Sequence, residues 1–125
     1  MEHMNCAFCN PEDVDVVLRG VESYVRYDKF PVSPGHLLVI PFRHVSSVFE
    51  LIDDELAEMG VLIFQAKKLI EHQFHPDGYN IGVNVGEVAG QTVMHVHIHV
   101  IPRYLGDMEN PRGGVRGVIP EKQAY

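Results

Sequence analysis

Three histidines alternate with apolar residues in the segment MHVHIHVIPRY, residues 94–104. Successive side chains of a β-strand point to opposite faces, so His95, His97 and His99 are predicted to share one face of a sheet. The residues between them, predicted to pack into the core, are Val96, Ile98 and Val100. The pattern therefore predicts a strand with one buried apolar face and one face that carries three imidazoles.

Five strands are predicted from runs of β-branched and aromatic residues bounded by turn residues. The predicted strands are residues 15–21, 22–28, 36–42, 79–86 and 92–102. Between the third and fourth strands, residues 47–74 predict one long amphipathic helix, because apolar residues recur there every three or four positions. These apolar positions are Leu51, Leu56, Met59, Ile63, Ala66 and Ile70. Several strands with short connections and one helix predict an α+β domain.

Length and charge limit the domain count and the partners of the chain. At 125 residues with a formal net charge of −7, one compact domain over residues 1–125 is expected. The negative charge argues against nucleic acid and membrane surfaces as partners, since both need a basic face. The sequence contains no run of about 20 apolar residues and no secretory signal pattern, so a cytoplasmic location is expected.

A face that carries three imidazoles has more than one chemical interpretation. Imidazole can bind metal, act as acid or base, or attack an electrophile, and a plain solvated strand is the remaining interpretation. Rings at successive same-face positions lie too far apart to converge easily on one ion. A division of labour is therefore predicted, in which His97 attacks and the outer rings, His95 and His99, position and proton-balance the site.

Two segments resemble the histidine-triad (HIT) superfamily of nucleotide hydrolases and transferases. HVHIHV (95–100) resembles the family's His-φ-His-φ-His-φφ signature, and PVSPGHLLVIPFRHV (31–45) resembles its second characteristic segment. The resemblance covers about residues 5–106. It implies an antiparallel sheet of about five strands with one long helix and a short N-terminal segment. The turn-rich composition of the end of the chain predicts an irregular Gly/Pro-rich tail from about residue 106. The resemblance also implies a homodimer that joins two domains through the helix and an edge strand into one continuous sheet.

The resemblance implies a covalent mechanism for the triad. His97 matches the histidine that attacks the α-phosphorus of a nucleotide derivative and forms a nucleotidyl-histidine, which water then cleaves. His99 matches the last triad histidine, which assists the leaving group. His36 matches a supporting histidine behind the triad, and a structural histidine bonded to backbone is the alternative for this residue.

Further residues match the family's contacts to phosphate, ribose and base. An amide, a hydroxyl and backbone N–H groups near a glycine suit a phosphate cradle, which implies substrate contacts from Asn84, Gln91 and Thr92. Asp28 matches a residue that hydrogen-bonds the ribose hydroxyls, with a turn-capping aspartate as the alternative. Leu38 is a candidate wall of the base pocket. Arg26 and Lys29 stand where relatives have apolar residues, which leaves the base preference open.

The two cysteines form a Cys-x₂-Cys pair near the N-terminus. Cys6 and Cys9 alone are compatible with a metal site, a redox pair or two buried thiols. The resemblance implies a structural zinc held by these cysteines together with His44 and His95, a Cys₂His₂ set suited to tetrahedral coordination.

The segment IPRYLGD, residues 101–107, resembles the fragile-histidine-triad branch. That branch hydrolyses dinucleoside polyphosphates such as diadenosine tetraphosphate and releases AMP, which is the function expected here. Arg103, with Arg112 and Arg116, is predicted to meet the distal phosphates, with solvated arginines as the alternative. Two other functions stay open: hydrolysis of nucleoside phosphoramidates or aminoacyl-adenylates, and nucleotide binding without catalysis. Whether magnesium accompanies the substrate is also open.

Overall fold

The computed structural model of the chain describes residues 5–125. It contains one five-stranded sheet in the order β1-β2-β3-β5-β4, in which every neighbouring pair is antiparallel. The strands are β1 (Leu18–Arg19), β2 (Ser23–Tyr27), β3 (Leu37–Pro41), β4 (Gly78–Val83) and β5 (Ile98–Arg103). One long helix, α1 (Asp53–Gln73), connects β3 to β4. The α+β class and the antiparallel sheet predicted from the sequence are confirmed.

The helix begins six residues later than predicted, because a separate short turn precedes it. The Ser47 hydroxyl accepts the Phe49 N–H, and the Glu50 carboxylate accepts the Ser47 N–H. These two bonds form a capping box that closes a 3₁₀ turn at Val48–Glu50. Leu51 then adopts extended dihedral angles, so the chain restarts a helix only at Asp53.

The buried face of α1 also differs from the prediction. Leu56, one of the apolar positions of the predicted amphipathic pattern, is 54% exposed, and the inward position next to it belongs to Glu55, which is buried. The Glu55 carboxylate accepts two bonds from the Arg43 guanidinium, at 3.0 and 2.9 Å, and one from the Ile52 N–H. This charge-assisted pairing offsets the cost of burying a carboxylate. The core face of the helix is completed by Met59, Leu62, Ala66 and Ile70.

The triad strand is shorter than predicted, since β5 starts at Ile98 rather than at residue 92. Ahead of it, the Val96 N–H donates to the Val45 carbonyl, which lies outside the sheet. Val96, Ile98 and Val100 are nevertheless all buried, as predicted, whereas the alternation fails at His95, which is buried as well. The strand predicted over residues 15–21 likewise shrinks to β1.

The two faces of the sheet are covered differently. Helix α1 packs on one face. On the other face, Tyr24, Leu38 and Ile40 form a second apolar cluster with Phe8 of the N-terminal segment. Register pairs Leu38 of β3 with His99 of β5, which places the triad on the face opposite the helix. Within residues 5–125, no helix is long and apolar enough to cross a membrane.

The tail is more ordered than predicted. It forms two short 3₁₀ helices, Gly114–Val118 and Pro120–Lys122, where an irregular segment was expected. Gly113 precedes the first of these with φ 90°, and a Cβ at that position would overlap the Gln123 carbonyl oxygen. The glycines of the tail therefore allow it to fold back on itself.

Candidate active site and metal centre

A cavity of about 360 Å³ opens on the sheet face opposite α1. Six of the residues predicted to act on a nucleotide line this cavity: Asp28, Leu38, Asn84, Thr92, His97 and His99. Arg26 and Lys29 line it as well. Segments distant in sequence thus converge on one concave site of the size that small-molecule ligands occupy.

The His97 ring is held in one orientation by the backbone. Its Nδ1 atom lies 2.9 Å from the carbonyl oxygen of His95. Because a carbonyl oxygen only accepts, Nδ1 must carry the proton and donate it. In the neutral ring, Nε2 is then left with a free lone pair. His97 therefore has the tautomer that a nucleophile at Nε2 requires.

A chain of hydrogen bonds gives His99 the opposite tautomer. The Val32 N–H donates to Nδ1 of His36 at 3.0 Å, so the His36 proton resides on Nε2. This Nε2 lies 3.0 Å from Nδ1 of His99, which must accept. The proton of the neutral His99 ring is therefore on Nε2. One ring of the cavity thus offers a lone pair and its neighbour, 5.1 Å away between centroids, offers a proton.

Both supporting rings are kept neutral by their surroundings. Burial lowers the pKa of His36, and the Asp28 carboxylate 3.5 Å from its Nε2 only partly opposes this. Burial, followed by repulsion from His97 and His36, lowers the pKa of His99 to about 4. At neutral pH, His99 therefore acts as a neutral hydrogen-bond donor rather than as an imidazolium.

The lowered pKa of His99 predicts that acid weakens the fold. An unfolded histidine takes up a proton near pH 6.5, whereas folded His99 resists protonation down to about pH 4. The unfolded state therefore binds more protons in this window, and the free energy of unfolding falls as the pH is lowered from 6.5 to 4. The His99 contribution is about 3 kcal/mol. Urea unfolding of wild type and His99→Asn across this range measures it, and parallel pH profiles would contradict it.

Gln91 holds the loop before β5 rather than lining the cavity. Its buried side chain accepts the Gly86 N–H at 2.8 Å and donates to the carbonyls of Ser46 and Val93 at 2.7 and 3.1 Å. All the polar atoms of the amide are thereby engaged with backbone. The structure thus gives Gln91 a positioning role for the loop that presents Thr92.

The predicted distal-phosphate arginines do not line this cavity. Arg103 makes a bidentate pair with Asp107, with both N···O distances at 2.8 Å, and donates to Asn80 at 2.6 Å. The pairing lowers the pKa of Asp107 to about 2. In the tail, the guanidinium groups of Arg112 and Arg116 lie over the Tyr125 ring, at 5.9 and 4.4 Å from its centroid.

The four predicted metal ligands form one cluster. One donor atom each from Cys6, Cys9, His44 and His95 lies within 4.8 Å of the other three. The His44 and His95 Nδ1 atoms lie 3.0 and 3.5 Å from the Cys9 sulfur. Zinc bond lengths of about 2.3 Å to sulfur and 2.0–2.1 Å to nitrogen imply donor separations of roughly 3.5 Å. His95 Nε2 donates to the Pro41 carbonyl at 2.7 Å, so in the neutral ring Nδ1, which lies beside the two sulfurs, carries the lone pair that a metal ligand needs. The donor set could therefore hold a metal ion.

Phe8 is a site residue that the sequence analysis missed. It stands between Cys6 and Cys9, lines the cavity, and packs edge-on against the His97 ring with the centroids 5.0 Å apart. The Tyr24 hydroxyl donates to its carbonyl at 2.8 Å. The sequence does contain a signal for Phe8, because it lies between the two cysteines of the Cys-x₂-Cys pair. If both cysteines bind one metal ion, the residues between them are held in place as well.

Comparison with known proteins agrees with this arrangement. The HIT domain family model matches residues 11–106. The chain belongs to the HIT domain family. It is 41% identical over 93 residues to a Mycobacterium tuberculosis protein named AP-4-A phosphorylase, covering 74% of this chain and 48% of the relative. It is 43% identical over 77 residues to the Schizosaccharomyces pombe bis(5′-nucleosyl)-tetraphosphatase (asymmetrical), and this match covers 62% of this chain and 42% of the relative.

These two relatives are longer proteins, and the chain spans about half the length of each. Among solved structures, a zinc-bound histidine triad family protein from Mycobacterium smegmatis matches with a TM-score of 0.74 and 31% identity. That match covers 86% of this chain and 81% of the other. The HIT fold is thus confirmed for this chain, and a metal-bound member of the family shares its architecture.

Proposed function

We propose that this protein cleaves dinucleoside polyphosphates at an α-phosphorus through a covalent nucleotidyl-histidine on His97. The observation that carries the proposal is the tautomer of this ring, whose Nδ1–H is bonded to the His95 carbonyl while Nε2 keeps its lone pair. A pure binding module has no need for a fixed nucleophile in a nucleotide-sized cavity. The names of the two longer relatives, a phosphorylase and a tetraphosphatase of such substrates, support this substrate class.

In the first step, the lone pair of His97 Nε2 attacks the α-phosphorus and forms a P–N bond. The P–O bond to the leaving nucleotide breaks, and its electron pair stays on the leaving oxygen. The Nε2–H of His99 is placed to donate to that oxygen, and the His36 relay holds His99 in the required tautomer. The positive charge that develops on the His97 ring is stabilised by its bond to the His95 carbonyl.

In the second step, an acceptor attacks phosphorus and the P–N bond breaks, which returns the lone pair to His97. With water as the acceptor, the water oxygen forms the new P–O bond, its proton passes to solvent, and AMP is released. With inorganic phosphate as the acceptor, the product is ADP, an outcome that the name of the mycobacterial relative favours. Chromatography of the products formed with and without phosphate separates hydrolysis from phosphorolysis.

The remaining cavity residues supply the binding. Asp28 is half-buried at the rim and offers a carboxylate to the two ribose hydroxyls. Phe8 and Leu38 provide apolar walls for the base. Asn84 and Thr92 line the same cavity and offer an amide and a hydroxyl to the phosphates of the substrate. Magnesium stays a prediction, since Asp28, His36 and His99 together provide only one of the oxygen ligands that magnesium prefers.

The decisive test is detection of the covalent intermediate. A short pulse of diadenosine tetraphosphate, followed by quenching in alkali and intact-protein mass spectrometry, should show one added adenylyl group per chain, which peptide mapping places on His97. A second pulse with an adenosine phosphoramidate tests the other substrate class opened by the sequence. Turnover without any adduct would contradict the double displacement, and turnover of the phosphoramidate alone would move the assignment to that class.

Zinc and a homodimer complete the proposal. Zinc in the Cys₂His₂ centre would tie the N-terminal segment to the start of the catalytic strand. A second copy of the chain would cover the outward face of α1, where Leu56, Val61 and Phe64 are 54%, 55% and 74% exposed. It would also pair with β4, an edge strand of the sheet. Sedimentation of the purified protein reports the mass of the particle.

A further inference from the structure

A second cavity lies on the other side of His99. It has a volume of about 320 Å³ and is bounded by β4 and β5 on one side and by the tail helix Gly114–Val118 on the other. Its apolar walls come from Ile81, Ile101, Val115 and Val118. Three of these residues are largely open to solvent, with Ile81, Val115 and Val118 exposed by 48%, 59% and 77%. Branched apolar side chains exposed around one concavity are typical of a ligand surface.

His99 lines both this cavity and the active-site cavity. On β4 its register partner is Gly82, and a Cβ added there would meet nothing within 4 Å. A residue with a side chain at this position would stand in the second cavity, beside His99. The glycine thus leaves open space next to His99 on the β4 side.

The chemistry of the proposed reaction indicates which part of the substrate extends into this space. His97 attacks the α-phosphorus on the side opposite the leaving oxygen, which departs next to His99 and accepts a hydrogen bond from its Nε2–H. Whatever is attached to that oxygen must therefore extend past His99, towards the cavity formed by β4, β5 and the tail. Flat apolar faces of a nucleobase suit walls of isoleucine and valine.

We infer that this second cavity, here named the tail subsite and formed by Gly82, Ile101, Val115 and Val118, binds the nucleoside of the leaving nucleotide. The inference rests on the proposed function and extends it to the half of the substrate that the first cavity does not hold. It also gives the tail a role, since the folded-back tail presents Val115 and Val118 to the sheet. The stacking of Arg116 on Tyr125 and its bond to the Gln123 carbonyl at 3.3 Å hold this shape.

The first test compares two substrates that differ only in the second nucleoside, diadenosine tetraphosphate and adenosine 5′-tetraphosphate. Wild type should show a kcat/KM ratio of about 10 in favour of the dinucleotide, which corresponds to roughly 1.4 kcal/mol of apolar contact. In Val115→Ser/Val118→Ser the ratio should fall to near 1. Both valines are exposed, so folding should survive the change. Val14→Ser, at an 88% exposed valine outside both cavities, is the matched control and should keep the ratio of wild type.

The second test detects binding without turnover. In the His97→Ala variant, diadenosine tetraphosphate should shift the backbone amide resonances of Gly82, Val115 and Gly117, whereas AMP should shift only those around the first cavity. A substrate ratio near 1 in wild type, or unshifted tail resonances with the dinucleotide bound, would overturn the tail subsite. Either result would leave the proposed function standing if the His97 adduct still forms, whereas a missing adduct would count against the proposed function.

Discussion

Replacing His97 by alanine is expected to lower kcat for dinucleoside polyphosphates by at least ~10⁴-fold, because the variant lacks the nucleophile. Among residues 5–125, no other imidazole offers a lone pair to the cavity. His99 has its proton on Nε2 and its Nδ1 occupied by His36, while His95 lies in the cluster with Cys6, Cys9 and His44. Residual cleavage would have to come from water attacking a bound substrate, with help only from the hydrogen bonds around the phosphate.

Binding should separate from catalysis in the same variant. The His97 ring lines the cavity, but Phe8, Asp28 and Leu38 contribute most of the proposed nucleoside contacts. The dissociation constant for AMP, measured by calorimetry, should therefore change by less than about tenfold, or 1.4 kcal/mol. His72→Ala, at an exposed helical histidine, is the matched control for activity and should retain both turnover and binding. Turnover by His97→Ala within tenfold of wild type would refute the nucleophile assignment.

The features of the site that can be predicted from the sequence are those that depend on the spacing of residues close together in the chain. Alternation places His97 and His99 on one face whatever the length of the strand, so the late start of β5 at Ile98 did not disturb the pairing. The metal ligands were predicted only through the family resemblance. Nothing local in the sequence indicates that His44 lies beside Cys9, because a contact between residues 35 positions apart depends on the fold.

The structure differs from the sequence prediction where the role of a polar side chain depends on its hydrogen-bond or ion-pair partner. Gln91 resembles a phosphate ligand in sequence, yet its amide is occupied by three backbone groups of the surrounding loops. Glu55 replaced an expected apolar residue on the buried face of α1 because Arg43, twelve residues earlier, neutralises it. Arg103 is the exception, since its partner Asp107 lies four residues away within the same motif and was open to prediction.

Loss of the proposed metal centre is expected to destabilise the fold strongly. Cys9→Ser should abolish zinc binding, measured as one zinc per chain in wild type by elemental analysis, and lower the melting temperature by roughly 10 °C or more. A structural zinc contributes several kcal/mol to folding, and each kcal/mol shifts the midpoint by about 3–5 °C in a domain of this size. His44→Ala should resemble Cys9→Ser, whereas His72→Ala, outside the cluster, should keep both the zinc and the melting temperature of wild type.

Loss of the proposed metal centre should also weaken nucleotide binding in the active-site cavity, because Phe8 connects the two sites. Phe8 stands between Cys6 and Cys9, two of the proposed ligands, and packs on the His97 ring. Releasing the two cysteines from the metal should therefore displace one wall of the cavity. Below the melting temperature, Cys9→Ser should bind AMP about tenfold more weakly, which corresponds to roughly 1.4 kcal/mol of apolar contact. Phe8→Ala should weaken AMP binding to a similar extent while retaining the zinc. If chelation leaves melting and AMP affinity unchanged, the cluster does not act as a structural metal centre, and Phe8 is held in place by Tyr24 and the apolar cluster alone.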